Sequence, residues 1–145
     1  MKYSLILFLF LFICSFEGSL GCDKCDIEVL SVVNQNMDNL NLKMVTDFIC
    51  TFDSSCQINV EYSEWSNETL FKVIDKATDL YFVAFQLDDV ETSLILDELE
   101  NPIMDVDIQR IYNRVKSIPV QDSIKSLHLN SLLIAAGRSG QLILR

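Results

Sequence analysis

The chain has 145 residues, half of them apolar, with 21 acidic and 11 basic side chains and a formal net charge of −10 at pH 7. This length suits one domain, and the apolar share is large enough to form a hydrophobic core. The acidic balance argues against nucleic acid as a partner, because binding phosphates requires clustered Lys and Arg. It also disfavours anionic membranes at neutral pH, although less so in an acidic compartment, where carboxylates become protonated.

Residues 1–21 have the pattern of a secretory signal peptide. Lys2 supplies a minimal positive start, and the run from Leu5 to Phe16 is almost entirely apolar. Ser19 and Gly21 place small residues just before a cleavage point that follows Gly21. A retained membrane anchor is the alternative, but the run is short for a bilayer span of about 20 residues. We expect the chain to be secreted, to the extracellular space or to the lumen of an acidic secretory or lysosomal compartment.

Four of the five cysteines follow this segment as two pairs, Cys22 with Cys25 and Cys50 with Cys56. An even number of cysteines in an exported chain indicates disulfides, and the sequence alone does not choose among the possible connectivities. Redox catalysis is disfavoured because no strand precedes the Cys-x-x-Cys motif. A zinc site is disfavoured because an oxidising compartment removes free thiolates.

Helical spacing of apolar residues predicts two helices between the cysteine pairs. The first is marked by Val29, Val32, Val33, Met37 and Leu40, and the second by Met44, Val45, Phe48, Ile49 and Phe52. Asn41 is placed to cap the second helix. The next stretch, Gln57 to Trp65, fits either a short strand or an extended lead into the following helix, because apolar and polar residues alternate there.

The clearest helix follows, with Ser66 as a candidate N-cap. Its apolar stripe consists of Leu70, Val73, Ile74, Ala77, Tyr81, Ala84 and Phe85. Asn67-Glu68-Thr69 is the only N-glycosylation sequon, so Asn67, at the expected solvent-facing start of this helix, is a candidate glycosylation site. A chance match is the alternative, since such tripeptides are common.

The second half of the chain begins with eight acidic and no basic residues between Asp88 and Asp107. Within it a short leucine-rich helix is predicted to end at Asn101-Pro102. A helix that ends at Pro119 and another that starts near Asp122 and stops near Gly137 complete the pattern. We therefore predict an all-α single domain of five to six amphipathic helices over residues 22–137, followed by a C-terminal tail over 138–145.

Neither a catalytic residue nor a cofactor is predicted, and we expect a protein that is not an enzyme. Calcium prefers carboxylate oxygens, but the glycine and closing glutamate of a calcium-binding loop are missing around Asp105-Val106-Asp107. We expect a solvated acidic face there rather than a metal site. His128 is the only histidine, and no Gly-x-Ser-x-Gly motif accompanies it. A lone histidine between two leucines is usually a helix-surface or partly buried residue.

The stretch from Cys22 to Cys56 resembles the first half of a saposin B-type domain. That family opens with Cys-x-x-Cys at the start of an amphipathic helix and places a third and a fourth cysteine after the second helix. The resemblance covers about residues 22–87, and the two C-terminal cysteines that saposin-like domains usually carry have no counterpart after Cys56. It implies that Cys50 pairs with Cys56, which leaves Cys22 and Cys25 to close on each other, to pair between chains or to stay free.

The resemblance also implies that an apolar helical face interacts with lipid. The candidate lipid-facing residues are Phe48, Phe52, Phe71, Tyr81, Phe82 and Phe85, although an aromatic residue at helical spacing is commonly just part of a core. The leading hypothesis is thus a secreted, disulfide-stabilised protein that binds lipid or membrane surfaces. The alternative is a secreted interaction or effector protein that acts through protein–protein contacts, without lipid binding or catalysis. An opening apolar cavity favours the first, whereas a closed core with an exposed patch elsewhere favours the second.

Overall fold

The computed structural model describes residues 23–144, and within them all regular structure is helical. The all-α prediction is confirmed. The predicted signal peptide and Cys22 lie outside the described residues. In chain order the α-helices are α1 Ile27–Gln35, α2 Leu42–Cys50, α3 Val60–Lys76, α4 Thr78–Phe85, α5 Thr92–Glu100, α6 Ile108–Ser117 and α7 Asp122–Arg138, with a short 3-10 helix, Ser54–Ile58, before α3.

Side-chain caps determine where several helices begin. The Asn41 side chain accepts a hydrogen bond from the backbone N–H of Met44 at 3.0 Å, so the predicted cap of α2 is confirmed. Asn59 does the same for α3 by accepting from the N–H of Tyr62 at 3.2 Å. Such caps satisfy backbone donors that the first helical turn leaves unpaired.

The stretch from Gln57 to Trp65 is neither a strand nor an extended lead, so both predictions for it are wrong. The 3-10 helix ends at Ile58, and α3 begins at Val60 because Asn59 caps it. Ser66 is therefore not an N-cap. It lies inside α3, where its hydroxyl donates to the carbonyl of Ser63.

The predicted long helix from Ser66 to Phe85 is divided at Ala77, which leaves the helical conformation with φ −141° and ψ 49°. Neither proline nor glycine marks this break. After it, α4 changes direction and packs against α2, burying more than one of its sides. This division is why the described residues form seven α-helices rather than the five to six predicted.

Buried apolar side chains from all seven helices form one continuous core. α2 packs on α4, α7 packs on α5 and α6, and α3 lies between these groups because it contacts α1, α4, α5 and α6. Within residues 23–144, none of the helices combines the length and hydrophobicity that crossing a bilayer requires.

The segment after α7 folds back onto α6. Gly140 has a positive φ of 68°, a conformation that glycine adopts without the steric cost of a side chain. The chain then turns so that the Gln141 side chain donates to the carbonyl of Val106 at 2.9 Å. The N–H of Leu144 donates to the Gln109 side chain at 2.6 Å. The predicted tail is thus tied to the domain by hydrogen bonds.

Candidate functional site

The six aromatic residues predicted to face lipid all belong to the core. Each is at most 4% exposed, because the apolar faces of the helices pack against one another rather than around a cavity. The expectation that these residues line an accessible apolar surface is therefore wrong for five of them, whereas Phe85, at 4% exposed, contributes to the wall of an open groove with Leu96 and Leu127. The six residues are Phe48, Phe52, Phe71, Tyr81, Phe82 and Phe85.

His128 is fully buried rather than on the surface or partly buried. Its Nδ1 donates to the carbonyl of Ile124 at 2.8 Å, so the neutral ring accepts at Nε2 from the hydroxyl of Tyr81, also at 2.8 Å. The ring centroids of Phe82 and Phe85 lie 4.7 and 4.4 Å from the centroid of the imidazole. Burial in this apolar setting lowers the pKa of His128 to about 4, and its hydrogen bond with Ile124 only partly opposes that shift.

Cys25 and Cys56 form a disulfide, with their Cα atoms 5.4 Å apart. Cys50 is also disulfide-bonded. The pairing of Cys50 with Cys56, and the closure of Cys22 on Cys25, are therefore wrong. The reason is the path of the N-terminal segment, which runs alongside the end of α2. The N–H of Cys25 donates to the carbonyl of Thr51 at 2.9 Å, and the Lys24 ammonium donates to the carbonyl of Cys50 at 2.7 Å.

This cross-pairing differs from the pairing that the saposin-like resemblance implied, so the cysteine pattern no longer supports that resemblance. The contacts of Lys24 and Cys25 instead fix the N-terminal segment to the C-terminal end of α2. Lys24 places a positive charge at the C-terminal end of α2, where the helix dipole favours it. Cys25 has a φ of 57°, a conformation that L-residues rarely adopt, and the disulfide and the Thr51 hydrogen bond both hold it there.

Asn67, the predicted glycosylation site, is fully buried inside α3 rather than at its solvent-facing start. Its Nδ2 donates to the Glu98 carboxylate at 2.7 Å, to the Glu98 carbonyl at 3.1 Å and to the Asn101 carbonyl at 3.3 Å. Its Oδ1 accepts from the N–H of Ile103 at 3.1 Å. A glycan on Nδ2 has no room in this packing. Asn67 is instead a latch that ties the end of α5 and the loop after it to α3.

An open groove adjoins this latch, since Ile103, whose N–H bonds to Asn67, is one of its lining residues. It has a volume of about 580 Å³ and runs between the first half of α3 and the loop after α5. We call it the Trp65 groove, and its lining residues are Val60, Glu61, Glu64, Trp65, Glu68, Ile103 and Met104. Three of its apolar side chains face solvent, since Val60 is 64% exposed, Ile103 53% and Met104 38%. Trp65 is half-buried against the core.

The charge around the Trp65 groove is negative. Glu61, Glu64 and Glu68 follow one side of α3 at helical spacing. Glu68 accepts from Lys72 at 2.6 Å, whereas within residues 23–144 neither Glu61 nor Glu64 has a basic partner. Beneath the groove, burial raises the pKa of Glu98, while its hydrogen bond with Asn67 opposes that shift.

No family model, curated protein or solved structure matches this chain.

The acidic stretch from Asp88 to Asp107 is mostly exposed. In the part of the chain that the structure describes, no three His, Cys, Asp or Glu side chains converge as a metal site requires. Three of the acidic residues have structural partners: Asp107 caps α6, Glu98 bonds to Asn67, and Glu100 pairs with Arg138.

Sequence reasoning did not find the Trp65 groove. Its two walls are about 40 residues apart in the chain, and a partly buried hydrogen bond between Asn67 and Ile103 joins them. One signal was present, however. The only tryptophan of the chain follows Glu61 and Glu64 and precedes Glu68, and once α3 is extended back to Val60, helical spacing puts these residues on adjoining positions of one helix face.

Proposed function

We propose that this protein is a secreted, disulfide-stabilised helical protein that acts through protein–protein contacts at the Trp65 groove, without a catalytic step. The observation that carries the proposal is a contrast in exposure. The aromatic residues expected to meet lipid are enclosed in the core, whereas Val60, Ile103 and Met104 form an apolar patch in contact with water. Apolar patches rimmed by charged residues are typical of sites where proteins bind other proteins.

Secretion is supported by the pattern of residues 1–21 and by the disulfide between Cys25 and Cys56. Disulfides persist in oxidising compartments, whereas cytosolic thiols are kept reduced. A small exported domain with a disulfide and a solvent-facing apolar groove suits a ligand or effector that another protein recognises.

A direct test places a photo-crosslinking residue at Met104, in the wall of the groove, and exposes the folded protein to extracellular material of the source organism. The matched control carries the same residue at Leu127, which is similarly exposed, at 52%, on α7. We expect a discrete protein adduct from position 104 that position 127 does not give. Equal adducts from both positions, or none from either, would contradict the proposal.

Lipid binding is the second candidate, and one observation favours it. The aromatic cluster encloses His128, whose protonation in acid disfavours the closed packing. If the helices separated there, the apolar faces of α4 and α7 would become available to acyl chains. Liposome co-sedimentation from neutral to acidic pH tests this. We expect no association of the folded protein at any pH, and sedimentation with liposomes that strengthens in acid would favour the lipid function instead.

A further inference from the structure

We infer that the Trp65 groove binds a short, basic, amphipathic helix of a protein partner. The inference rests on the proposed function and adds the chemistry of the partner to it. Three properties of the groove support it: its apolar anchor, its uncompensated negative charge and the nature of its walls.

The apolar anchor is Trp65, which is half-buried and lines the groove together with Val60, Ile103 and Met104. Tryptophan is the residue type most enriched among those that dominate binding energy in protein interfaces. Methionine adds an adaptable apolar contact, because its unbranched side chain adjusts to the shape of a partner. Apolar side chains from the partner would therefore dock along this line.

The charge of the groove selects the partner. Glu61 and Glu64 lie beside the apolar anchor without a basic partner in residues 23–144. Lys or Arg residues next to the apolar stripe of the partner would compensate them and would speed association. A second copy of this chain, a nucleic acid and an anionic membrane all carry the wrong charge for a surface of net charge −10.

The walls of the groove favour a helix over an extended peptide. One wall is α3, whose backbone groups beyond the first turn bond within the helix and offer no ladder to a strand. An extended peptide docked there would leave its own backbone groups without protein partners, whereas a helix satisfies them internally. From Val60 to Glu68 the groove follows about 12 Å of α3, which matches about two turns of a bound helix.

The experiment uses the full mature protein and a dye-labelled synthetic helix with leucines along one face and lysines beside them. The matched control peptide has glutamates in place of the lysines. We expect fluorescence anisotropy to show binding of the basic peptide that weakens as salt is added, and no binding of the acidic one. Trp65 is the only tryptophan in the chain. Its emission should shift to shorter wavelength on binding, as the ring loses contact with water.

Two charge-reversal variants distinguish the effect of charge in the groove from the effect of the net charge of the protein. Glu61→Lys with Glu64→Lys changes the groove, and Asp88→Lys with Asp89→Lys makes the same change in net charge at an exposed turn elsewhere. We expect the first to weaken binding about tenfold and the second less than about twofold. Circular dichroism verifies folding, and Glu64→Lys alone repeats the test outside the first turn of α3 if the double variant folds poorly.

The inference is overturned if the basic peptide does not bind, if both double variants weaken it equally, or if it binds without changing the emission of Trp65. Crosslinking at Met104 keeps the two proposals distinguishable. If the basic peptide fails while position 104 gives a specific protein adduct, the groove binds a partner of other chemistry and only the inference falls. If both fail, the proposed function falls as well.

Discussion

His128 and Asn67 are both fully buried polar residues, yet the regions around them are built in opposite ways. His128 makes two hydrogen bonds within a cluster of aromatic rings, and that region is closed to water. Asn67 bonds across to the end of α5 and to Ile103, and the region above it is an open groove. One buried polar group therefore completes the core, whereas the other holds together the two walls of an open groove.

The largest effect is expected from the disulfide between Cys25 and Cys56, which lies outside both regions. Replacing Cys25 and Cys56 together with alanine removes a bridge that spans 31 residues. The greater freedom of the unfolded chain should lower the free energy of unfolding by about 4 kcal/mol. Urea denaturation measures it, with Ser54→Ala in the same 3-10 helix as the control. A loss below about 1 kcal/mol would show that the link constrains little.

The region around His128 should respond to acid. The pKa of His128 falls from 6.5 for the free side chain to about 4 in the folded protein. Below pH 6.5 the unfolded chain therefore binds a proton that the folded protein does not, and stability is lost as the pH falls from 6.5 towards 4. The expected loss is about 3 kcal/mol.

Urea denaturation at neutral pH and again near pH 4 checks this pH dependence, with His128→Gln as the variant that cannot titrate. The variant should be less stable at neutral pH but should lose less on acidification. Glu98 acts in the opposite direction, since its raised pKa stabilises the folded protein below the unfolded pKa and that contribution is lost as the pH rises. Parallel pH profiles for the two proteins would rule out His128 as the cause.

The two regions also differ in how far the sequence predicts them. The Asn41 cap and the apolar stripe of α2 are local signals, and so is Pro119 after α6, and they predict these two helices correctly. The break at Ala77 is not predictable in this way. The helical spacing of Val73, Ala77 and Tyr81 continues across it, and packing of α4 on α2 decides the conformation.

The sequence does not predict the disulfide pairing or the groove, and the reason is related. Both depend on contacts between distant parts of the chain. Cys25 meets Cys56 because the N-terminal segment runs beside the end of α2. Asn67 looked like an exposed sequon because α3 was expected to begin at Ser66. Because α3 in fact begins at Val60, Asn67 lies inside the helix and bonds to the end of α5.

Breaking the latch should affect both stability and the groove. Asn67→Ala leaves the Glu98 carboxylate, the Asn101 carbonyl and the Ile103 N–H without their partner. We expect the free energy of unfolding to fall by about 2 kcal/mol. Binding at the groove should weaken as well, because Ile103 and Met104 are no longer held against α3. Denaturation and peptide anisotropy measure the two effects.

Asn130→Ala is the control for this variant, because Asn130 is exposed on α7 and should change stability by no more than about 0.5 kcal/mol. If Asn67→Ala lost stability while peptide binding stayed unchanged, Asn67 would support the fold alone and the loop would hold its position by other contacts.

The smallest effect on stability is expected in the groove itself. Met104→Gln replaces a side chain that already contacts water in the folded protein, so the free energy of unfolding should change by no more than about 0.5 kcal/mol. Peptide binding should nevertheless weaken, since the apolar wall opposite α3 loses its thioether. Leu127→Gln makes a comparable change on α7 and should leave binding intact. A recognition surface differs from the edge of a core in that its apolar side chains contribute to binding but not to stability. A large loss of stability in Met104→Gln would therefore assign this residue to the core instead.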